Sequence, residues 1–547
     1  MSENHHLKVS LCASFIVEPI QDYLIYWSKE FKMNISYDIA PYNFVFQQLL
    51  DTHSSFNQNG GINILLIRIE DWLRDKKDSS PSEQIHFLNE TYQTFIDAIT
   101  HSRKIAIAPF LIGIVPLSPS HYFSSQTAAH IDDLNRKLID FLKDIPSFYF
   151  IDLTKIAALY KVEEMFDSET DELGHMPFTQ QYYSVLGTYL WRKIRAYKSP
   201  AYKVIALDCD NTLWKGVCGE EGALNVVIDK NYVYIQEFLL EKYNEGFLLV
   251  LCSKNNENDV WEVFDKHPQM KLKQEHITAH RINWDPKPHN LISLSKELNV
   301  GLDSFIFLDD NNFEIEQVAL SCPEVLSISL PEDSATFFSF LDHIWEFDLF
   351  QVTEEDKQRN KMYKEEKQRK QELVNYDYLN DFLKDLKISV NLEPLTEKDL
   401  DRAVQLTLRT NQFNLNGIQK TREEIIKEIR EKNTFNQIID VKDRFGDYGI
   451  VGLILAKKIQ NTLNVNTFLM SCRVLGRNVE EIVLSELKKY CSGVGIDSII
   501  MHFKPTLKNR PFVEFLRRTE WIKDDQTNTY SFLIKEKNQL LQHTYEG

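Results

Sequence analysis

The chain has 547 residues, of which 43% are hydrophobic and 26% charged, with only 18 glycines and 17 prolines. This composition is typical of a globular protein and excludes collagen-like and low-complexity chains. Single hydrophobic cores stop growing near ~250–300 residues, so the length predicts several domains. The net charge of −18 repels phosphate backbones, and no basic patch offsets it in the sequence, so we predict no nucleic-acid partner.

Seven cysteines are scattered without paired spacing, which indicates a reducing compartment rather than a disulfide framework. The N-terminal apolar stretch is short and is interrupted by Glu18, unlike a signal peptide. The longest apolar run, Ile105 to Leu117, contains Pro109 and Pro116 and is too short to span a bilayer. We therefore expect a cytoplasmic protein with no membrane partner.

The first third of the chain alternates apolar, β-branched segments with amphipathic ones. Strands are predicted at Lys8–Phe15, Asn63–Ile69, Lys104–Val115 and Ser147–Asp152. Helices are predicted over Ile131–Leu142 and over Gln180–Ala196, before the break at Ser199-Pro200. Strands that alternate with helices predict a parallel-sheet α/β domain over residues 1–198.

A second α/β unit is predicted over residues 199–350. Its short buried strands are expected to be neighbours in one parallel sheet, with helices as crossovers. The predicted strands are Tyr202–Leu207, Phe247–Leu251 and Ser304–Leu308, and the predicted helices are Ile235–Asn244 and Leu291–Leu298. The segment between Thr212 and Ser253 has room for only a minimal cap over this sheet.

A charged connecting helix over residues 351–385 follows, and its central part, Thr353–Val374, is so polar that we interpret it as solvated. The last domain, 386–547, mixes helices with paired strands. Its predicted elements are a helix near Glu397–Leu408, strands at Gln437–Val441, Ile450–Ala456 and Thr467–Met470, and a helix from Asn478. The predicted fold class is a multidomain α/β protein with an α+β C-terminal domain.

The strongest chemical signal is the sequence VIALDCDNTLW, in which Asp208 and Asp210 follow a buried strand. Open parallel sheets bind ligands at the carboxyl ends of their strands. A carboxylate there can attack phosphorus, and a second one can protonate the leaving oxygen and then activate water. Two such carboxylates repel each other unless a cation joins them, and Mg²⁺ favours oxygen ligands.

Three further segments bring phosphate-binding and metal-binding residue types to the same edge. The second strand ends at Ser253 and Lys254, and Lys287 precedes a helix. The third strand ends at Asp309 and Asp310. Hydroxyls and lysines can hold phosphate oxygens, and additional acids can complete a metal shell.

In this order, these residues resemble the four motifs of the haloacid dehalogenase superfamily of phosphotransferases. The resemblance implies a Rossmann-like domain in which Asp208 is the nucleophile and Asp210 the general acid/base. It implies phosphate binding by Thr212, Ser253, Lys254 and Lys287. It also implies Mg²⁺ binding by Asp208, Asp210, Asp309 and Asp310.

A closer resemblance rests on LDCDNTLWKGVCGEEG, LCSKNN, NWDPKPHN and FLDDNNFE. These motifs are similar to those of the FkbH-like proteins, subfamily IIIC of that superfamily, which accompany polyketide synthases. The resemblance implies transfer of the glyceryl group of 1,3-bisphosphoglycerate to an acyl carrier protein thiol, with release of phosphate. The family usually has glycine where this chain has Lys215, which leaves room for a different anionic substrate.

The same resemblance suggests Cys209 as the thiol that holds the acyl group. Two flanking carboxylates would raise the pKa of this thiol unless Mg²⁺ or lysines reverse the local field. In an extended chain, residue 209 would also point away from 208 and 210. The alternative is that Cys209 is a small apolar residue that packs in the core.

The outer domains resemble two further families. The segment with Arg473, Gly476, Arg477 and Asn478 resembles the coenzyme A loop of GNAT acetyltransferases, which implies a phosphopantetheine-binding or carrier-docking role. A purely structural role for this loop stays open. The first domain resembles SGNH hydrolases, with Ser14 and His175 at the places of a nucleophile and base, but the usual Gly-Asp-Ser start is absent. We favour a non-catalytic scaffold there, with hydrolysis as the alternative.

The interpretation as a glyceryl transferase and phosphatase has two rivals. One is a stand-alone Mg²⁺-dependent phosphatase that acts on a small phosphorylated metabolite and has no need of Cys209. The other is a non-catalytic protein that docks on a synthase. The paired Asp208 and Asp210 argue against this second rival, since a scaffold has no use for such an acidic cluster.

Overall fold

The computed structural model describes residues 6–119, 122–143, 145, 147–199, 202–376, 378–506, 508–524 and 526–534. The chain divides into two compact units. One runs to Ser199 and includes Thr421–Ile426, and the other comprises the rest of the described chain. None of the helices in the described ranges has the length and apolar character that crossing a bilayer requires.

The first unit contains a five-stranded, wholly parallel sheet in the order β2-β1-β3-β4-β5. Its central strands are buried, as expected for a sheet covered by helices on both faces. The strands are β1 (Leu7–Ala13), β2 (Ile35–Ile39), β3 (Ile62–Ile67), β4 (Phe110–Ile114) and β5 (Phe148–Asp152).

Helices connect these strands. They are α1 (Ile20–Glu30), α2 (Val45–Leu50), α3 (Ser55–Gln58), α4 (Pro81–Ile105), α5 (Ser125–Lys143), α6 (Leu153–Leu159), α7 (Ser168–Gly174) and α8 (Gln180–Lys198). The predicted strand Lys104–Val115 begins too early, because α4 continues to Ile105 and β4 starts only at Phe110. A capping box at Ser80 and Glu83 starts this helix, and its buried face reaches Ser102.

The second sheet is also parallel, in the order β10-β9-β6-β7-β8. Leu207 at the end of β6 pairs with Leu251 of β7 and with Leu308 of β9, so the carboxyl ends of the three strands coincide. The strands are β6 (Val204–Leu207), β7 (Leu248–Ser253), β8 (Ile277–Ile282), β9 (Phe305–Asp309) and β10 (Leu326–Ser329). The helices are α9 (Cys218–Glu221), α10 (Lys230–Asn244), α11 (Glu257–Lys266), α12 (Lys287–Leu298), α13 (Asn312–Ser321) and α14 (Phe337–Leu341).

Two helices, α15 (Glu354–Leu373) and α16 (Leu379–Asp385), lead to the third sheet. The prediction that this segment is solvated was wrong for α15, which buries Asp356, Asn360, Glu365 and Arg369. Ion pairs and hydrogen bonds satisfy this polar face. For example, the Arg369 guanidinium donates two hydrogen bonds, of 2.8 and 2.9 Å, to the Asp443 carboxylate.

The third sheet is mainly antiparallel, in the order β11-β13-β14-β15-β16-β18-β17, with β12 beside β15. Strand β15 pairs in parallel with β16 only from Thr462 to Val465. Its last two residues, Leu469 and Met470, pair with β12 instead. The strands are β11 (Ser389–Pro394), β12 (Phe413–Asn414), β13 (Thr434–Asp443), β14 (Gly446–Ile459), β15 (Thr462–Met470), β16 (Ser498–His502), β17 (Ile522–Asp524) and β18 (Thr529–Leu533). The helices are α17 (Leu400–Arg409), α18 (Arg422–Arg430), α19 (Val479–Gly493) and α20 (Arg510–Arg518). Helices and sheets in all three regions confirm the predicted α/β fold class.

We expect the ion pair between Arg369 and Asp443 to contribute measurably to the free energy of unfolding. The exposed fractions of the two side chains are 3% and 0%, so Arg369→Met would leave a buried carboxylate without its partner. Breaking one side of such a pair typically costs ~3–5 kcal/mol. We expect a lower midpoint of urea unfolding for Arg369→Met and an unchanged midpoint for Lys364→Met, an exposed lysine on the same helix. Equal midpoints would show that this pair does not hold α15 in place.

Candidate active site

The ends of β6 and β9 bring two acidic residues to the same edge of the second sheet. The amide of Asp208 donates a hydrogen bond of 3.0 Å to the carbonyl of Leu308, which holds the loop after β6 against β9. Asp309 is the last residue of β9. In the loop after β6, the chain turns at Asn211, whose φ of 56° lies in the left-handed region that asparagine tolerates.

Lys287 joins these two strand ends. It is the first residue of α12, and Pro288 occupies the first turn, where a helix needs no amide donor. The Lys287 ammonium donates hydrogen bonds to Asp208 Oδ1 at 2.6 Å and to Asp309 Oδ2 at 2.5 Å. All three side chains are buried, so the structure places one cation between two desolvated carboxylates.

The acids at this edge hold protons more tightly than ordinary carboxyls. Burial raises the pKa of Asp208, although the Lys287 ammonium and the Ser253 hydroxyl oppose this effect. Burial, together with the charge of Asp208, raises the pKa of Asp309 to about 7. The same two causes raise the pKa of Asp310 to about 6. Each of these carboxyls therefore ionises less readily than an ordinary one, although the Lys287 ammonium contacts two of them.

Asp208, Asp309 and Asp310 fit a hard divalent cation. Each offers one carboxylate oxygen, and these oxygens lie within 4.8 Å of one another. Mg²⁺ takes such oxygen ligands, and its charge would favour the ionised form of these buried carboxyls. Three of the four predicted metal ligands thus lie together.

The fourth, Asp210, is held apart by its own hydrogen bonds. Its Oδ1 accepts from the indole of Trp214 at 2.8 Å and from the amide of Cys218 at 3.1 Å, and its Oδ2 accepts from Asn255 Nδ2 at 2.8 Å. These donors fix the carboxylate near the sheet edge. A fixed second carboxylate suits the predicted role of general acid and base.

The residues predicted to bind phosphate differ in whether their side chains already have a hydrogen-bond or ion-pair partner. Thr212 is fully buried, and among the described residues its hydroxyl has no hydrogen-bond partner. Ser253 is buried at the end of β7, where its hydroxyl reaches Asp208. Lys254 instead donates to Glu314 at 2.6 Å. Among the described residues, the Thr212 hydroxyl is thus buried without a partner, while the Lys254 ammonium already has a carboxylate partner.

Cys209 packs in the hydrophobic core, with the Ser253 hydroxyl beside its thiol. Its exposed fraction is 0%, and it packs in the same cluster as Leu207, Leu213 and Trp214. Burial, and next the charge of Asp208, raises the pKa of the Cys209 thiol well above its ordinary value. A buried, protonated thiol is a poor nucleophile. These features favour the alternative in which Cys209 is a packing residue.

Only a small structure covers the sheet edge between Asp210 and β7. It consists of the short helix α9, a bridge between Lys215 and Val227, and α10. Lys215 is exposed at this cover. The site therefore has a minimal cap among the described residues, as predicted.

The loop before α19 is partly occupied by its own side chains. The Gly476 amide donates to the Glu480 carboxylate at 3.4 Å, and Arg477 pairs with Glu366 at 2.6 Å. Asn478 is exposed, with a φ of 61°. Acidic residues in the first turn of α19 compete with any phosphate for the helix start.

In the first unit, Ser14 has a carboxylate partner rather than a histidine partner. Its hydroxyl donates to Asp71 Oδ2 at 2.7 Å and accepts from the Arg68 amide at 3.0 Å. The His175 ring stacks on Tyr42 with 4.7 Å between ring centroids. No Ser14–His175 hydrogen bond forms in the described chain, which favours the scaffold interpretation.

Sequence reasoning missed several residues that shape these sites. Asn255 and Trp214 orient Asp210, and Arg68 and Asp71 surround Ser14. Asn255 stands two residues after Ser253, at a strand end already marked by polar residues, so its position alone was a usable signal. The sequence carries no comparable signal for Arg68 or Asp71.

The chain is similar in structure to the N-terminal part of the protein BF1531 from Bacteroides fragilis, which contains a phosphatase domain complexed with Mg. The TM-score is 0.52 and the sequence identity 26%, over 63% of this chain and 94% of that chain. No protein-family model and no curated protein matches the sequence.

Weaker similarities cover about a quarter of the chain. The ribosomal-protein-S18-alanine N-acetyltransferase from Escherichia coli has a TM-score of 0.22 and 7% identity, over 28% of this chain and 99% of that chain. The PaiA N-acetyltransferase from Thermoplasma acidophilum, in complex with coenzyme A, has a TM-score of 0.23 and 15% identity, over 26% of this chain and 99% of that chain.

Proposed function

We propose that the second sheet carries a Mg²⁺-dependent phosphatase of the haloacid dehalogenase type. The observation that carries this proposal is the contact of Lys287 with both Asp208 and Asp309, which closes a cluster of three carboxylates at the carboxyl edge of the sheet. The Mg-bound phosphatase domain of the Bacteroides fragilis protein supports it.

The chemistry follows from the positions of the acids. A carboxylate oxygen of Asp208 attacks phosphorus and forms an aspartyl-phosphate, while Asp210 donates a proton to the leaving oxygen. Asp210 then takes a proton from water, whose oxygen attacks the phosphorus and frees Asp208. Thr212 and Ser253 hold phosphate oxygens. When bound by Asp208, Asp309 and Asp310, Mg²⁺ supplies positive charge that draws the phosphate and offsets its negative charge.

The more specific proposal concerns the substrate and acceptor. The substrate is 1,3-bisphosphoglycerate, and the acceptor is the phosphopantetheine thiol of an acyl carrier protein in polyketide or hybrid biosynthesis. The thiol sulfur bonds to the acyl carbon, the C1 phosphate leaves, and the thiol proton goes to solvent. The Asp208 pathway hydrolyses the C3 phosphate ester, so the carrier finally holds a glyceryl group. The FkbH-like motifs support this proposal.

The burial of Cys209 bears on the route of the acyl group. A thiol with an exposed fraction of 0% and a raised pKa favours direct transfer to the carrier over a thioester on Cys209. It equally favours the stand-alone phosphatase, which needs neither thiol nor carrier. Only the transfer reaction requires a carrier, so the appearance of an acylated carrier distinguishes these two functions.

Intact-protein mass spectrometry tests the proposal. The protein is incubated with Mg²⁺ and enzymatically generated 1,3-bisphosphoglycerate, with and without a phosphopantetheinylated carrier, as wild type, Cys209→Ala and Asp208→Asn. We expect glyceryl on the carrier with wild type and Cys209→Ala, and no complete dephosphorylation with Asp208→Asn.

A glyceryl adduct on wild type that Cys209→Ala lacks would restore the thioester route. Phosphate release without any acylated carrier would leave the stand-alone phosphatase. An absence of both products from every variant would favour the docking role.

A further inference from the structure

An exposed tryptophan stands in the loop after β8, at the edge of the second sheet that carries the acids. All eight tryptophans lie in the described ranges, and among them Trp284 alone is exposed, with an exposed fraction of 68%. Its indole donates a hydrogen bond of 3.3 Å to Asn256 Oδ1, which orients the ring. A large apolar ring that is held in one direction and is open to solvent is available to contact a ligand.

The chain on both sides of Trp284 is tied to the candidate active site. The preceding residue, Asn283, donates its backbone amide to the carbonyl of Ser253 at 3.1 Å. Three residues after Trp284, the Lys287 ammonium lies 2.6 Å from Asp208 Oδ1. The tryptophan therefore lies at the rim of the site, between a residue that contacts the end of β7 and one that contacts the proposed nucleophile.

Two exposed apolar residues stand next to the groups that orient Asp210. This carboxylate accepts from the Cys218 amide at 3.1 Å and from Asn255 Nδ2 at 2.8 Å. Val217, which is exposed, directly precedes Cys218. Asn255 directly precedes the asparagine that bonds the Trp284 indole, and its Oδ1 lies 3.8 Å from the Cys218 thiol. The two segments that hold Asp210 thus carry Val217 on one and the partner of Trp284 on the other.

This placement bears on one part of the substrate. In the proposed reaction, Asp210 protonates the oxygen of the leaving group, so the leaving group lies beside Asp210. Val217 and Trp284 border the same side of the site. Apolar side chains there can contact the carbon atoms of the leaving group, and an indole ring can stack on a planar group.

The charge on these segments is negative. Glu220 and Glu221 lie in α9, and Asp259 lies in the first turn of α11. Among the described residues, none of these three carboxylates has a lysine or arginine at ion-pair distance. Lys215 on the cover offsets only one of the three charges. A leaving group that carries a carboxylate is therefore repelled, and the repulsion weakens as salt is added.

We propose that Trp284 makes the phosphatase proposed above selective for phosphate esters whose leaving group is uncharged and presents a planar or apolar surface. The ring contacts that surface, while the carboxylates of α9 and α11 disfavour an anionic competitor. This inference rests on the proposed function. Within the proposed transfer, a phosphoglyceryl thioester on the carrier has an uncharged leaving group, whereas free phosphoglycerate carries a carboxylate.

Steady-state kinetics with three phosphate esters test this inference. Phenyl phosphate has a planar, uncharged leaving group, para-carboxyphenyl phosphate adds a carboxylate to the same ring, and glycerol phosphate is uncharged but not planar. The variants are Trp284→Ala, Trp284→Phe and the control Leu320→Ala, whose exposed leucine lies near the end of α13. Each variant is compared with wild type on the same ester with Mg²⁺, so that the intrinsic reactivity of the leaving group cancels.

We expect Trp284→Ala to raise KM for phenyl phosphate by about threefold to tenfold at nearly unchanged kcat, as for the loss of an aromatic stacking contact. KM for glycerol phosphate should stay nearly unchanged. Trp284→Phe should keep most of the affinity for phenyl phosphate, and Leu320→Ala should behave as wild type. Wild type should favour phenyl over para-carboxyphenyl phosphate by about threefold or more in kcat/KM, and added salt should narrow this difference.

The possible failures of this inference and of the proposed function are distinguishable. Equal losses of Trp284→Ala on phenyl and glycerol phosphate would show a structural role for Trp284, and unchanged kinetics would show no role. Either result, or equal or faster turnover of para-carboxyphenyl phosphate by wild type, would overturn the inference and leave the phosphatase in place. A wild type that releases phosphate from none of the three esters would overturn the proposed function, and this inference with it.

Discussion

Replacing Asp208 with asparagine is expected to lower phosphate release by roughly 10⁴-fold or more, because the covalent route through an aspartyl-phosphate then no longer exists. Asparagine preserves the shape of the side chain and can still accept from Lys287, which lies 2.6 Å from Asp208 Oδ1. The loss should therefore appear in turnover. Release of phosphate from a generic phosphomonoester with Mg²⁺ measures it.

A matched control uses the same substitution at an exposed acid near the site. Asp285 lies two residues before Lys287 and is exposed, so Asp285→Asn should leave turnover nearly unchanged. Circular dichroism should show that both variants are folded. Comparable activity of Asp208→Asn and wild type would exclude Asp208 as the nucleophile.

Asp210→Asn separates the two catalytic roles. Loss of a general acid/base costs about 10²–10⁴-fold, and it affects both the formation and the hydrolysis of the aspartyl-phosphate. With a substrate whose leaving group needs no protonation, only hydrolysis should slow. We expect a phosphorylated Asp208 to accumulate in Asp210→Asn, visible after acid quench by mass spectrometry, and to be absent from Asp208→Asn.

The main features of this site were predictable because parallel strands end at one edge. The motifs placed Asp208, Ser253 and Asp309 after three buried apolar runs, and the register of the strands then required them to be close. The direction of Asp210 was not predictable, because it depends on the indole of Trp214 and the amide of Asn255. Strand periodicity does not determine side-chain directions in the loop that follows.

Two of the strands that escaped prediction, β2 and β8, lie at sheet edges. β2 and β8 contain half-buried residues such as Tyr37 and His280, and so lack the continuous apolar pattern of the central strands. In polar helices, by contrast, the error concerns burial, which the sequence analysis underestimated. α15 buries residues such as Asp356 and Arg369 through ion pairs with partners distant in sequence, and hydropathy cannot register that kind of burial.

Replacing Lys287 with methionine is expected to destabilise the Mg²⁺-free protein by ~3–5 kcal/mol, the usual cost of removing one partner from a buried ion pair. The ammonium lies 2.6 Å from Asp208 and 2.5 Å from Asp309, and its side chain has an exposed fraction of 3%. Without it, the carboxylates of Asp208, Asp309 and Asp310 face one another in the absence of a cation. The midpoint of urea unfolding in EDTA measures the effect.

Mg²⁺ and protons should each reduce this loss. If Asp208, Asp309 and Asp310 bind Mg²⁺, the ion raises the stability of Lys287→Met more than that of wild type, because it replaces the missing charge. The pKa of Asp309 is already raised to about 7 in wild type, above its value in the unfolded chain. Its folded form therefore binds protons more tightly, and the variant should regain stability as the pH falls from about 8 to about 5.

Lys215→Met is the matched control, since Lys215 is exposed on the small cover of the same site. Its unfolding midpoint should stay close to that of wild type at every pH and Mg²⁺ concentration. If Lys287→Met instead lost stability to the same degree with and without Mg²⁺, the three carboxylates would not hold the ion. Lys287 would then be a structural cation for Asp208 and Asp309, and the assignment of the metal ligands would have to change.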